Sequence, residues 1–275
     1  MLGHMVYLYL RNLGVYDLID VSHQSKLTDK SILLDAYNKT EVEALILRER
    51  PDIVINCVGI LINVANSNPG NAIYLNSYLP NLLSEILEKT GGKLIHISTD
   101  CVFSGKRGSY DEQDIRDADD IYGKSKALGE VINSRDLTLR TSIIGPELKS
   151  NGVGLFHWFM NQSGEIKGYT HALWSGVTTL EMAKVINCAI ELNLFGLAHV
   201  TNGEKISKFN LLLLLKEIWN RNDLTINSFS DYSVDKTLNQ SKHFKYKVPS
   251  YRKMLEEQLD WMHENKDFYK KFYNK

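Results

Sequence analysis

Leu94-Ile95-His96-Ile97-Ser98-Thr99-Asp100, residues 94–100, begins as an apolar run and ends on two hydroxyl residues and an acid. A run of this length and composition predicts a strand over Leu94–Ser98 that is covered on both faces. A second such run, Ile53-Val54-Ile55-Asn56-Cys57-Val58, precedes it. Between the two lies a helical stretch from Asn71 to Lys89 that closes on Gly91-Gly92. Strand, helix and strand in this order predict a βαβ unit with parallel strands and a right-handed crossover.

Working outward, the same alternation continues. Upstream, Met1 to Leu13 has helical spacing, with Val6, Leu10 and Leu13 on one face, and Gly14 ends it. A short strand, Leu18 to Val21, follows, then a helix from Glu41 to Glu49 that stops before Pro51. Downstream, a polar loop rich in Asp and Gly leads into a helix from Ile121 to Asn133 and a strand from Leu137 to Thr141. The fold class is therefore α/β, a doubly wound parallel sheet of Rossmann-like type, with a smaller C-terminal region. Residues 1–145 read as the dinucleotide-binding part. Residues 146–275 read as a substrate-binding region, parts of which return to the sheet; helices are expected at Thr179–Leu192, Lys208–Asn220 and Tyr251–Glu264, with strands near Leu197–Thr201 and Thr225–Phe229.

Composition narrows the class of partner. With 43% hydrophobic and 24% charged residues in 275, the chain is that of an ordinary globular protein. A net charge of −1 gives no reason to expect nucleic acid or an anionic membrane surface. No apolar run approaches the ~20 residues of a membrane span, and the N-terminus has no signal-peptide pattern. Cys57, Cys101 and Cys188 form neither a disulfide framework nor a metal-type spacing, so no metal is expected and a reducing cytoplasm is.

The chemistry concentrates in Tyr122-Gly123-Lys124-Ser125-Lys126. Residues four apart share a helix face, so the phenol and the ammonium point the same way. A nearby cation favours the ionised form of a phenol whose usual pKa is about 10, which suits Tyr122 to proton transfer. Thr99, at the C-terminal end of a strand, can hold the same substrate oxygen. Chance supplies such pairs too. Among 14 tyrosines, Tyr232 and Lys236 repeat the spacing in a polar stretch outside the strand–helix alternation, and that pair is assigned no role. Context sets Tyr122 apart, because ligands of open α/β sheets bind outside the strand C-termini.

Asn56-Cys57-Val58-Gly59, Ser98-Thr99-Asp100-Cys101-Val102-Phe103, Tyr122 to Lys126 and Leu139-Arg140-Thr141-Ser142 occur in this order. Together they resemble the extended short-chain dehydrogenase/reductase superfamily, and within it the dTDP-4-dehydrorhamnose reductase branch, over nearly the whole chain. The resemblance implies NAD(P)H-dependent reduction of a 4-keto-6-deoxy nucleotide sugar for cell-surface polysaccharide. It implies Thr99, Tyr122 and Lys126 as the catalytic trio, with Lys126 also on the nicotinamide ribose. Met1, Leu2, Gly3, Asp20, Asp35, Ala36, Cys57, Val58, Gly59 and Asn76 would line the cofactor, NADPH or NADH. Thr99, Asp100, Phe103 and Arg140 would meet the substrate; for Arg140 an ion pair at a strand end is the competing role. Trp158, Phe156 and Trp174 are candidates for base or sugar packing, with core packing the favoured alternative. Related 4,6-dehydratases carry Thr-Asp-Glu where this chain has Thr99-Asp100-Cys101, and a thiol is a weak substitute for that acid. Reduction or epimerisation is left.

One departure stands out. The family's first strand and Gly-x-x-Gly-x-x-Gly turn are represented only by Gly3, the third glycine. Losing that strand would leave two ladders of backbone groups unpaired. Extending the reading frame upstream of Met1 is expected to reveal roughly a dozen residues of β-rich sequence closing on two glycines; a degraded copy is the competing explanation. Asp20, 17 residues past Gly3, favours NAD(H), although His23 and Lys26 suit a 2′-phosphate. Two other functions stay open: a non-catalytic subunit like the regulatory subunit of methionine adenosyltransferase, and a nucleotide-sugar epimerase. A homodimer is compatible with an amphipathic surface helix.

Overall fold

A computed structural model describes residues 1–273. The chain opens with α1 (Leu2–Leu13), then β1 (Val21–Ser22), β2 (Ile32–Leu33), α2 (Lys39–Glu49) and β3 (Ile53–Asn56). Next come α3 (Ile62–Ser67), α4 (Pro69–Ala72), a π-helical turn over Ile73–Tyr78, α5 (Leu79–Thr90) and β4 (Lys93–Thr99). After a long loop follow α6 (Ile121–Leu128), β5 (Leu137–Thr141), β6 (Ile143–Ile144), α7 (Leu155–Met160), β7 (Gly164–Trp174) and β8 (Val177–Thr178). The chain finishes with α8 (Thr179–Glu191), β9 (Gly196–His199), β10 (Ile206–Ser207), α9 (Lys208–Ile218), β11 (Leu224–Asp235), α10 (Tyr251–Glu264) and α11 (Lys266–Tyr269).

Strands β3, β4, β5 and β9 form one parallel sheet in that order. Its two faces are covered separately, as in a doubly wound fold. Val42 and Ile46 of α2 and Leu82, Leu83, Ile86 and Leu87 of α5 pack with Leu94 on one side. Met5 and Leu8 of α1, Met182, Val185 and Ile186 of α8 and Met254 of α10 pack with Ile95, Leu137 and Leu139 on the other. Each of these large side chains contributes roughly 1.5–3 kcal/mol by leaving water. Strand β9 comes from the second half of the sequence and completes the sheet edge. Antiparallel β10 and parallel β11 flank β7 in a separate sheet backed by α9.

Among the described residues β1 and β2 form their own parallel pair and share no ladder with β3. The expectation that Ile53 to Val58 is fully covered fails for this reason. As the edge strand of its sheet, β3 leaves Ile53, Val54 and Ile55 only half-buried, and Val58 beyond it is 43% exposed. Strand β1 is likewise two residues long, with Val21 47% exposed, instead of Leu18–Val21.

Local signals set the boundaries that position the site. Asp120 caps α6 by accepting the Gly123 amide at 2.8 Å. The helix stops at Leu128, five residues short of the expected Asn133. Arg116 takes the carbonyl of Ala127, and Gly129 sits against the backbone of Asn76 where a Cβ has no room. Glu130, just past this end, accepts from Ser98 of β4 and Arg140 of β5. Strand β7 was not anticipated, because its inward positions include Gly168 and Ala172 in place of large β-branched residues.

Asp136, just before β5, ties this frame together. Its carboxylate accepts from the Leu94 amide (2.8 Å), Asn133 (2.9 Å), Arg135 (2.8 Å) and Ser84. Burial alone would raise its pKa, but these donors hold it at about 2. A carboxyl depressed on folding stabilises above its unfolded pKa and loses that contribution as pH falls through the folded value. Asp136→Asn is therefore expected to cost about 2 kcal/mol near neutrality. In urea unfolding between pH 7 and 2 the gap to wild type closes below about pH 4; a gap independent of pH would contradict this.

Candidate active site

The C-terminal ends of β3 and β4 face the first turns of α6, and the expected catalytic side chains lie there. Thr99 ends β4; its Oγ1 accepts the Cys101 amide at 3.1 Å and donates to Asp100 at 3.0 Å. Tyr122 is buried among Ala65, Ala72, Ile60 and Cys101, with the Thr99 hydroxyl near enough to act on its phenol. Gly123 permits this approach, since a Cβ there would run into the Cys101 carbonyl and Ala118. Gly123→Ala should push α6 off the Thr99–Cys101 turn. The expected cost is about 1–3 kcal/mol of stability with a loss of turnover on the order of 10²-fold. Unfolding curves beside kinetics check this, and unchanged turnover would contradict the packing argument.

Burial raises the Tyr122 phenol well above its usual value, and Cys101 and Asp100 add to that, while Thr99 opposes it. The sequence-based expectation was a lowered value. The difference is physical: Lys126 is itself buried, 4% exposed, and its Nζ donates to the Ile97 carbonyl at 2.7 Å and lies 3.3 Å from His96 Nε2.

Asn76 is fully buried in the π-helical turn. Its Oδ1 accepts the Ile60 amide at 2.8 Å, and its Nδ2 donates to the Ile60 carbonyl and to Ser125, both at 3.0 Å. It thus orders the loop after Gly59 against α6, and a π-turn is a frequent feature of functional sites. On the cofactor side, Gly3 in the first turn of α1 lies against Cys57, 3.6 Å from where a Cβ would reach. Met1 is the N-cap and Leu2 is buried in the core. Ala36 is half-buried beside the α2–α5 core, and Asp35 accepts the Tyr37 amide. Asp20 spends its carboxylate on Ser31 and Thr28 of its own loop.

Two substrate-side assignments are corrected. Phe103 is fully buried, stacked on Tyr110 at 4.1 Å between ring centroids, so it belongs to the core. Arg140 is 1% exposed and held bidentately by Glu130, at 2.6 and 2.7 Å. The ion pair describes it; a substrate phosphate does not reach it. Phe156 and Trp174 are likewise core residues, and Trp158 is 38% exposed.

Two lysines were missed. Lys236 after β11 and Lys208 at the start of α9 bring positive charge to Asp100, partly offsetting the burial that raises its carboxyl pKa. Lys236 is the partner in the discarded Tyr232 pair. Its role follows from β11 returning past Gly105, where Lys236 packs, which no local spacing reveals. An aromatic step of Tyr37, Tyr74 and Tyr78, with successive centroids 5.2 Å apart, also flanks Asp35 and Ala36.

A Rossmann-type sheet with Tyr, Lys and Thr gathered at its strand ends defines a protein of the extended short-chain dehydrogenase/reductase class. The model of the family described as the RmlD substrate binding domain matches residues 15–272. The chain belongs to that family. Among curated relatives, a dTDP-4-dehydrorhamnose reductase of Aggregatibacter actinomycetemcomitans is 33% identical over 44% of this chain and 43% of its own length. The spore coat polysaccharide biosynthesis protein SpsK of Bacillus subtilis is 28% identical over 61% of each. The matched stretches thus span roughly half the length of these relatives. Among solved structures, a hypothetical dTDP-4-dehydrorhamnose reductase of Sulfolobus tokodaii superposes with a TM-score of 0.78 at 24% identity, covering 91% of this chain and 94% of that one. The Bacillus anthracis reductase in complex with NADP gives 0.73 at 24%, covering 83% and 87%. A UDP-glucose 4-epimerase of Thermotoga maritima gives 0.74 at 17%, covering 96% of each. These structural likenesses establish the fold. Among the described residues no helix is long and apolar enough to cross a membrane.

Proposed function

We propose that this protein reduces a 4-keto-6-deoxy nucleotide sugar with NADPH or NADH. The observation that carries the reading is the placement of Tyr122 on α6 beside the Thr99–Cys101 turn at the end of β4, with Lys126 one turn further along the helix. The residues present suit a nicotinamide cofactor's sugar half: Lys126 and Tyr122 face the strand ends, and Asn76 fixes the loop after Gly59. Gly3 beside Cys57 brings the first turn of α1 to the same edge. When bound, the cofactor supplies hydride to the carbonyl carbon.

The protein's own part is proton transfer and positioning. Tyr122 gives its proton to the carbonyl oxygen, and Thr99 holds that oxygen as charge develops on it. Lys208 and Lys236 beside Asp100 supply positive charge on the substrate side, where a nucleotide diphosphate is anionic. Cys101 argues against elimination. Burial and the Asp100 charge push its thiol up to about 12, so it offers neither an acid nor a base near neutrality.

The test is the loss of NADPH absorbance on adding a dTDP-4-keto-6-deoxyhexose, with NADPH binding followed separately by fluorescence. Turnover supports the reading. Tight NADPH binding without turnover favours a regulatory subunit, and no binding at all contradicts the proposal outright. Soluble behaviour, cytoplasmic placement and a homodimer accompany the reading as further proposals.

A further inference from the structure

Behind Tyr122 and Thr99 runs a line of buried polar groups whose hydrogen-bond directions are fixed from one end. The Val58 amide lies 3.0 Å from Asn56 Oδ1, Asn56 Nδ2 is 3.2 Å from His96 Nδ1, and His96 Nε2 is 3.3 Å from Lys126 Nζ. Lys126 Nζ in turn lies 2.7 Å from the Ile97 carbonyl oxygen. Asn56 and His96 stand opposite each other because β3 and β4 pair in that register. Asn56 is 3% exposed, His96 fully buried and Lys126 4% exposed, so water does not replace these partners.

A backbone amide can only donate, and this settles the rest. Asn56 must turn its oxygen to the Val58 amide, which leaves its NH2 facing His96 Nδ1. Nδ1 is then the acceptor, and the single proton of a neutral imidazole sits on Nε2, aimed at Lys126 Nζ. Burial, the larger cause, pushes the His96 pKa well down and so disfavours an imidazolium. An Nζ that receives an N–H needs a lone pair. The amine has one and the ammonium has none. With an ammonium, two donors confront each other somewhere along the line, whichever way Asn56 or His96 is turned.

We propose that Asn56 and His96 are positioning residues that favour the neutral amine of Lys126 and draw its titration down toward neutrality in the cofactor-free protein. The charges facing Lys126 allow this. From its own helix side, Glu130 raises its pKa, but the Glu130 carboxylate is already taken by Arg140, Arg116 and Ser98. From the loop after β3, Cys57 is a neutral thiol, pushed up to about 12 by burial. From β4 comes His96 itself. Burial dominates and brings Lys126 down to about 8. The consequence rests on the reductase reading: the charged form of Lys126, which this line disfavours, must turn from His96 before its charge favours the Tyr122 phenolate.

The test reads protonation in the free protein. In 15N spectra of protein labelled at histidine and lysine, without cofactor, His96 should carry its proton on Nε2 at pH 9, above the Lys126 titration. The Lys126 signal, assigned by its loss in Lys126→Met, should titrate roughly two units below exposed lysines. Asn56→Asp reverses the line, since a carboxylate accepts from both neighbours. His96 should then move its proton to Nδ1, and the Lys126 titration should rise by roughly one unit or more. A proton on Nδ1 in wild type at pH 9 would overturn the proposal. So would Asn56→Asp with tautomer and titration unchanged. Should that variant not fold, the wild-type ring shifts alone decide. These spectra involve no substrate, so failure of the reductase reading leaves them unaffected.

Discussion

Tyr122→Phe is expected to lower turnover of the proposed reduction by roughly 10²–10⁴-fold. The ring stays, so the packing against Ala65 and Ala72 is kept. Only the hydroxyl is lost, so stability should change little. NADPH affinity should change little, because the hydroxyl's work falls in the proton-transfer step. Single-turnover NADPH oxidation, beside a urea unfolding curve and a binding titration, separates these effects. Near-normal turnover in a folded variant would remove Tyr122 from the chemistry.

The largest effect on stability is expected at Arg140. Glu130 receives Arg140 at 2.6 and 2.7 Å, Ser98 at 2.7 Å and Arg116 at 3.0 Å, with its side chain fully buried. Arg140 also meets His199 Nε2 at 3.2 Å and lies 5.2 Å over the Phe103 ring. Removing one partner of such a pair strands the other's charge in the interior, so Arg140→Ala should cost about 3–5 kcal/mol. Arg140→Lys should restore only part, because an ammonium cannot span both carboxylate oxygens. Urea midpoints of the two variants check this. A folded, fully stable Arg140→Ala with a raised KM would return Arg140 to the substrate.

Residue by residue, what could be read in the sequence follows a physical line. The apolar runs at Ile53 and Leu94 and the helix at Tyr122 are local signals, and the sheet and the placement of α6 after β4 follow from them. Asn76 came from the family resemblance alone; no local pattern points to its buried contacts with Ile60 and Ser125. What escaped was non-local. Lys236 reaches Asp100 only because β11 returns past the loop at Gly105. Arg140 reads as available in the sequence, and its bidentate partner Glu130 lies beyond an early end of α6 that spacing does not show. The raised Tyr122 pKa is the same lesson in electrostatics: spacing puts a cation on the right face, but burial decides whether that cation is charged.

That point bears on mechanism. A buried Tyr122 beside a Lys126 whose charge burial disfavours keeps its proton, so the acid is held ready and not spent on solvent. Such an arrangement serves a reductase and an epimerase alike, and fold does not separate them. The fate of the hydride does. The most direct measurement incubates the protein with NADPH deuterated at nicotinamide C4 on the transferred face and a dTDP-4-keto-6-deoxyhexose, then follows the sugar by mass spectrometry and NMR. The account predicts one deuterium at sugar C4 for each NADPH consumed. A sugar that is only isomerised, without deuterium and without NADPH loss, would contradict it.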